Sequence, residues 1–293
     1  YTPIWRTVEL SDIDVDTGMV KSERVMDFPA VWDGDYYYYH YINEAELKGE
    51  HGIVLKTRGR GYSYKGGSKL ARNYFLFPGS KSYAFAYQKE YLTKDGLLTK
   101  AWENLDWIDS HTPWAKKRHY KDQDMHKRAS YKQMVNGTPV EKGYKSDIIG
   151  VTFNDNPDVA RGKRGKLILW EEFGSFPHAL KSCNIALNSM KQGRSVFGLM
   201  VAYGTGGEEG SDFEAMNEMF SSPKGYQIKG MTNVLDDNKY GVINGFFMPE
   251  QVNREGFYDE NGNSNIKEAL LDIEKDRKKV IENSTDPLRI TRK

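Results

Sequence analysis

Three apolar runs, each closed by a short polar or glycine-rich motif, constrain this chain more than any other feature. They are Gly52-Ile53-Val54-Leu55, Leu167-Ile168-Leu169-Trp170, and Val196 to Tyr203. Runs of this length without alternation are what strands buried on both faces require. The first leads through a glycine-rich turn into a helix ending near Asn73, and a further strand is predicted over Ser82 to Tyr87. Helical spacing recurs over 99–110, 177–192 and 212–220, and strand-like pieces follow at 226–231 and 241–248. Apolar strands alternating with helices predict an α/β fold, a mostly parallel sheet with helices on both faces.

Other segments depart from that rhythm. Residues 1–30 are polar, with apolar anchors at Ile4, Trp5, Val25, Met26 and Phe28. The aromatic and acidic stretch 31–52 reads as a mixture of helix and loop, and the polar, basic stretch 111–147, with Gly137 and Pro139 as turn signals, reads as an insertion. The tail predicts a helix from Ile266 to Asn283. Asn265 and Glu268 form its capping box, and Ile266, Leu270, Ile273 and Val280 share one face.

Composition narrows the function classes. The 293 residues suffice for one large domain or two small ones. Lys and Arg number 42 against 41 acids, a net charge of +1. That excludes a protein coated uniformly for polyanions and leaves room for a local basic track. The single Cys183 excludes a disulfide framework and a cysteine-based zinc site, and the 6 His residues have no metal-ligand spacing. No apolar run reaches the roughly 18 residues of a membrane span, and no signal-peptide pattern is present, so a reducing, cytoplasm-like compartment is expected. The chain starts at Tyr1, which suggests a piece excised from a longer protein.

The motifs sit where strands end, the edge at which open α/β sheets bind ligands. The first is the glycine-rich turn at 57–67, Thr57-Arg58-Gly59-Arg60-Gly61-Tyr62-Ser63-Tyr64-Lys65-Gly66-Gly67. Backbone N–H groups of such a turn, with the positive end of the next helix, cradle phosphate, and Ser63 can offer a hydroxyl to Mg²⁺. The common pattern G-x-x-x-x-G-K-[ST] places Lys before that Ser. Tyr62 stands there instead, so the cation must be Arg58, Arg60 or Lys65. The second motif is Glu171-Glu172 after Trp170. One acid at such a strand end holds the magnesium shell, and the next orients or deprotonates a water attacking a γ-phosphate. The third, Gly204-Thr205-Gly206-Gly207, suits sensing of that phosphate. Each also has a plainer reading: a basic strand-to-helix turn, a solvated acidic turn, a flexible glycine turn.

Taken together and in this order, the three motifs resemble the ATPase domain of the large terminase subunit, the motor that packages DNA into tailed-phage heads. The resemblance runs from about Phe28 to about Met248. It implies an ASCE-type P-loop NTPase fold with an ATPase core over residues 1–255, carrying an N-terminal extension and the insertion at about 111–147. Residues 256–293 would be a C-terminal helix or linker towards a nuclease domain for which this chain has no room, so DNA cleavage is not expected. It implies ATP and Mg²⁺, with Ser63 and Glu171 at the metal and Glu172 as the catalytic base. The family more often shows Asp then Glu at the acidic pair. The family tolerates a phosphate loop with its cation moved upstream, which Arg58 or Arg60 would match. Nucleotide contacts are then expected from Arg58, Gly59, Arg60, Gly61, Tyr62, Ser63, Tyr64, Lys65 and Thr205, with Arg58 also catalytic. A trans-acting arginine is implied shortly before the acidic strand: Arg161, with Arg164 second. Phe28, Trp32 and Tyr36 to Tyr39 are candidates for stacking adenine.

The resemblance also implies partners: double-stranded DNA gripped through its backbone, the portal or procapsid, the small terminase subunit and further copies in a ring. The setting would be the cytoplasm of the infected host, with no membrane. A DNA-contact track is expected at 114–132, where Lys116, Lys117, Arg118, Lys121, Lys127, Arg128 and Lys132 interleave with Trp114, His119, Tyr120 and Tyr131. Two other readings compete. A helicase-like NTPase would need arginine-bearing motifs after the third motif. An aromatic-rich binding module, for instance for carbohydrate, would need short antiparallel strands.

Overall fold

Adjacent residues of the central strands go to opposite faces of one sheet, which is why those strands are apolar throughout. Ile53, Ile168 and Met200 enter one core, and their neighbours Val54, Leu169 and Val201 enter the other. All six are fully buried, and each contributes about 1.5–3 kcal/mol of apolar burial. The computed structural model describes residues 2–13, 20–57, 59–118, 121–205, 211–234 and 240–283, without the side chains of 6–22 and 211–213.

In chain order the elements are β1 (Ile4–Ile13), β2 (Val20–Asp27), α1 (Asp33–Lys48), β3 (Gly52–Lys56), α2 (Tyr62–Leu76), β4 (Lys81–Ala86), α3 (Glu90–Thr93), α4 (Leu97–His111), β5 (Lys121–Gln123), β6 (His126–Val135) and β7 (Thr138–Thr152). There follow β8 (Leu167–Trp170), α5 (Ala179–Ser189), β9 (Lys191–Gln192), β10 (Ser195–Val196), β11 (Leu199–Thr205), α6 (Ser211–Ser221), β12 (Met231–Thr232), β13 (Ile243–Asn244), β14 (Phe246–Phe247) and α7 (Ile266–Glu282).

The main sheet has the order β14-β3-β11-β8-β4-β7-β6-β5. Neighbours from β14 to β7 are parallel, and β7-β6-β5 are antiparallel. This is the expected α/β sheet, and the parallel core is not the antiparallel pattern that the aromatic binding module required. Helices α1, α2 and α4 cover one face, with Tyr38, Ile42, Leu70, Tyr74, Leu97 and Leu105 in the core. Helices α5 and α6 cover the other with Cys183, Leu187, Met216 and Met219. A Cβ at Gly67 would meet the Ala101 backbone nitrogen at 2.9 Å, so α2 and α4 approach almost backbone to backbone.

Three segments take a definite form, and one expectation, the buried face of the last helix, is corrected. Residues 121–152 extend the main sheet as strands β5 to β7, because Asp147–Thr152 of β7 pair directly with β4. Stretch 33–48 is one helix, not a mixture. The amino-terminal residues form an antiparallel ribbon, β1 with β2, separate from the main sheet. Helix α7 begins as predicted, with the Asn265 side chain accepting the Glu268 N–H at 3.4 Å. Its buried residues, however, are Ala269 and Ile273, while Leu270 and Val280 are exposed. Arg254 sets that rotation by pairing with Asp272 at 2.8 Å and Asp276 at 2.7 Å.

Candidate active site

Strand order alone brings the three motifs together. β11 lies between β3 and β8, and Thr205 is in register with Lys56 while Ala202 is in register with Trp170. The glycine-rich turn, the acidic pair and the hydroxyl turn therefore leave the same carboxyl edge side by side. One additional strand stands between the turn and the acids, as the ASCE arrangement requires.

Side chains link across that edge. Ser63 Oγ donates to Glu171 Oε1 at 2.7 Å. Lys56 Nζ pairs with Glu172 Oε1 at 3.1 Å, and Thr205 Oγ1 donates to Glu172 Oε2 at 3.4 Å. Glu171 is 5% exposed and its Oε2 has no hydrogen-bond partner. An orphaned buried carboxylate oxygen is expensive unless something arrives to use it. Burial pushes the Glu171 carboxyl above the usual carboxylate range, against the pull of Lys56 and Ser63. Glu172 adopts φ 49° and ψ 55°, left-handed backbone that is uncommon for a glutamate. Its carbonyl is pinned there by the Ser175 N–H at 2.9 Å and the Ser175 hydroxyl at 2.7 Å.

The raised carboxyl gives a stability test. Its folded value lies above the unfolded one, so its contribution is fully present at low pH and is lost as pH rises through the folded value. Glu171→Gln sheds the charge at nearly constant shape. The free variant is expected to melt above the wild type near neutral pH, and the gap should close on acidification below the ordinary glutamate range. Equal melting temperatures across pH 4–8 would remove the burial argument.

The turn supplies its own donors. Gly59 and Gly61 have φ of +79° and +67°, and a Cβ at either would meet nothing within 4 Å, so glycine answers to backbone conformation there. Helix α2 starts at Tyr62, and Lys65 N–H is bonded to the Gly61 carbonyl at 3.0 Å. The N–H groups of Tyr62, Ser63 and Tyr64 are thus first-turn donors at the positive end of a helix.

The side chains of the turn are placed otherwise than expected. Arg60 turns away, donating to the carbonyls of Asn253 and, at 2.9 Å, Glu250. Lys65 is tied to Asp35 at 2.8 Å and to the Arg60 carbonyl at 2.7 Å, and it lies 4.5 Å from the Tyr62 ring centre. Tyr62 is core, edge-on to Tyr38 at 5.2 Å, and Tyr64 lies under Lys100 at 4.5 Å. Arg58, Gly206 and Gly207 fall outside the described residues. Among the described residues the cation that faces the acids is Lys56, which follows the apolar run and was not among the sequence candidates. A lysine ending a buried apolar strand was the available signal.

The remaining candidates lie elsewhere. Arg161 is at the opposite edge of the sheet, its side chain 73% exposed and paired with Asp158 at 2.8 Å. Arg164 stacks on Phe197 at 5.1 Å. Tyr38 is buried, sharing a 2.5 Å hydrogen bond with Tyr203, while Phe28 packs on Trp107 and Trp32 on Tyr258. In the basic stretch, Arg118 is held by Asp106 and Asp109, Lys127 by Asp122, and Arg128 by Glu141 and Asp147. Lys116 and Lys117 lie on the rings of Tyr144 and Tyr131, and His119 and Tyr120 are outside the described residues. These cations bind the sheet extension together.

A magnesium ion fits the chemistry of Ser63 and Glu171: hard oxygens, one of them an unsatisfied carboxylate. Among the described residues no group of three or more His, Cys, Asp or Glu could hold a metal. Phosphate and water would supply the remaining ligands of such an ion, which is how magnesium usually sits with nucleotides. Among the same residues no helix is long and apolar enough to cross a membrane.

No protein-family model matches the sequence, and no curated protein matches it. Solved structures do. The large terminase ATPase domain of Thermus phage P74-26 is similar with a TM-score of 0.53 and 14% identity, covering 90% of this chain and 96% of that one. An arginine-to-alanine mutant of that domain is similar with a TM-score of 0.50 and 12% identity, covering 88% of this chain and 95% of that one. At such identity the likeness establishes the fold: that of a large terminase ATPase domain.

Proposed function

We propose that this chain is an Mg²⁺-dependent ATPase of the large terminase kind, hydrolysing ATP to drive double-stranded DNA into a viral procapsid. The convergence of Ser63, Glu171, Lys56, Glu172 and Thr205 at one sheet edge carries the reading. The first-turn N–H groups of α2 hold the phosphates. Ser63 and Glu171 hold the magnesium, which supplies charge neutralisation on the phosphate oxygens. Lys56 stands within reach of Glu172, so an incoming γ-phosphate competes for its ammonium and frees the carboxylate. Glu172 then orients the attacking water and takes its proton. Thr205, bonded to the same carboxylate, registers whether Glu172 is tied or free. In the assembled motor the chain forms a ring on the portal with the small terminase subunit, in the cytoplasm of the infected host.

Thermal melting with a non-hydrolysable ATP analogue and magnesium tests this. A ligand at a hundred times its Kd stabilises by about 2.7 kcal/mol, a shift of roughly 5 °C or more at this chain length. Lys56→Ala is expected to remove most of that shift, whereas Arg60→Ala, which removes contacts to Asn253 and Glu250, is expected to keep it. No shift in the wild type would end the nucleotide reading.

A further inference from the structure

The amino edge of the sheet, opposite the active site, carries a basic surface of a different kind from the stretch at 116–132. The turn Arg161-Gly162-Lys163-Arg164 leads into β8, and the β9–β10 hairpin with Gly193-Arg194 at its turn leads into β11, the neighbour of β8 in the sheet. Backbone bonds fix the neighbourhood: Leu199 N–H to the Lys166 carbonyl at 3.0 Å and Phe197 N–H to the Met190 carbonyl at 3.1 Å. Arg164 reaches across to stack on Phe197. Gly162 and Gly193, with φ of +75° and +62° and nothing within 4 Å of an added Cβ, keep both turns tight and their flanking cations outward.

The charge here is uncommitted. From Pro157 to Lys166 the only acid is Asp158, and from Asn188 to Phe197 there is none. Asp158 takes Arg161, and Glu46 takes Lys69 and Lys166. Among the described residues Lys163, Arg164, Lys191 and Arg194 have no ion pair, and Arg164 and Arg194 are exposed. Arg118, Lys127 and Arg128, by contrast, are held by carboxylates. β11 spans about 20 Å at 3.3 Å per residue, so this edge is remote from Glu172.

We propose that Lys163, Arg164, Lys191 and Arg194 form a contact surface for the sugar-phosphate backbone of double-stranded DNA. The proposal rests on the reading of the chain as a DNA motor, and it moves the grip from the basic stretch to the amino edge. Cations on a short turn and a two-residue hairpin, with an arginine pre-set by an aromatic ring, suit phosphates of any sequence.

Binding of the whole chain to a random-sequence duplex, measured against salt concentration without nucleotide, tests it. The triple variant Lys163→Ala, Lys191→Ala, Arg194→Ala is expected to bind about 10²-fold more weakly near 0.1 M salt, with the slope of log K against log salt shallower by about three. Lys116→Ala with Lys117→Ala is expected to bind within about twofold of the wild type. Unchanged binding in the triple variant, loss in the Lys116 and Lys117 variant instead, or no duplex binding by the wild type would each overturn the proposal. Melting with the ATP analogue runs alongside. A triple variant that keeps the nucleotide shift while losing DNA is folded and supports the surface. A wild type that binds DNA at this edge without any nucleotide shift leaves the surface standing and removes the ATPase.

Discussion

Replacing Glu172 with Gln is expected to lower ATP turnover by about 10³-fold while leaving nucleotide binding within a few-fold of the wild type. The amide keeps one oxygen to accept from Lys56, and its NH2 can donate to the Thr205 hydroxyl; these groups now meet the carboxylate at 3.1 and 3.4 Å, so the hollow should hold its shape. It cannot accept a proton from water. Single-turnover hydrolysis separates the two effects, because substrate is already bound when the clock starts. Turnover within tenfold of the wild type would assign the base elsewhere. The backbone allows a sharper control. Asp tolerates left-handed φ better than Glu, so Glu172→Asp relieves part of the cost of φ 49° while withdrawing the carboxylate by one methylene. It should cut turnover without lowering the melting temperature. A merely structural Glu172 would show the reverse: stability changed and rate kept.

How much was legible followed from how each residue is used. Ile53-Val54, Ile168-Leu169 and Met200-Val201 could be read as doubly buried strands because both neighbours of each pair face a core. The acids after Trp170 could be read because a strand end at the carboxyl edge is where such groups work. Helix α1 was obscured by four consecutive tyrosines. Tyr38 is buried with Tyr41, Ile42 and Ala45, a helical spacing, while Tyr36, Tyr37 and Tyr39 are exposed and blur it. Strands β5 to β7 were obscured because Arg128 and Lys127 are consumed by Glu141, Asp147 and Asp122 within the sheet. Charge that reads as solvated in sequence is pairing in three dimensions. Lys56 drew no attention in the sequence because Arg58, Arg60 and Lys65 stood as the candidate phosphate cations. Arg60 and Lys65 meet the carbonyl of Glu250 and the carboxylate of Asp35, partners far away in sequence.

The second large effect concerns Arg161, and geometry decides its form. Its backbone N–H is bonded to the Asp158 carbonyl at 2.9 Å, in the turn leading into β8, whereas Glu172 lies beyond that strand's other end. It is exposed and, among the described residues, its guanidinium pairs with Asp158 across three residues, a contact that water screens. An arginine so placed cannot touch a nucleotide held by its own chain, yet it is free to enter a neighbour's site. Arg161→Ala is therefore expected to leave the slow hydrolysis of an isolated chain unchanged and to remove about 10³-fold from the rate of an assembled ring. Mixing gives the decisive arm. A chain with Glu172→Gln but intact Arg161, added to one with Arg161→Ala but intact Glu172, should regain activity. Each interface then has some chance of pairing a working base with a working arginine. An equal loss in dilute, monomeric protein, or no recovery on mixing, would return Arg161 to the basic edge as a surface charge alone. Asp158→Ala frees the guanidinium without moving it, and should leave the assembled rate unchanged or raise it.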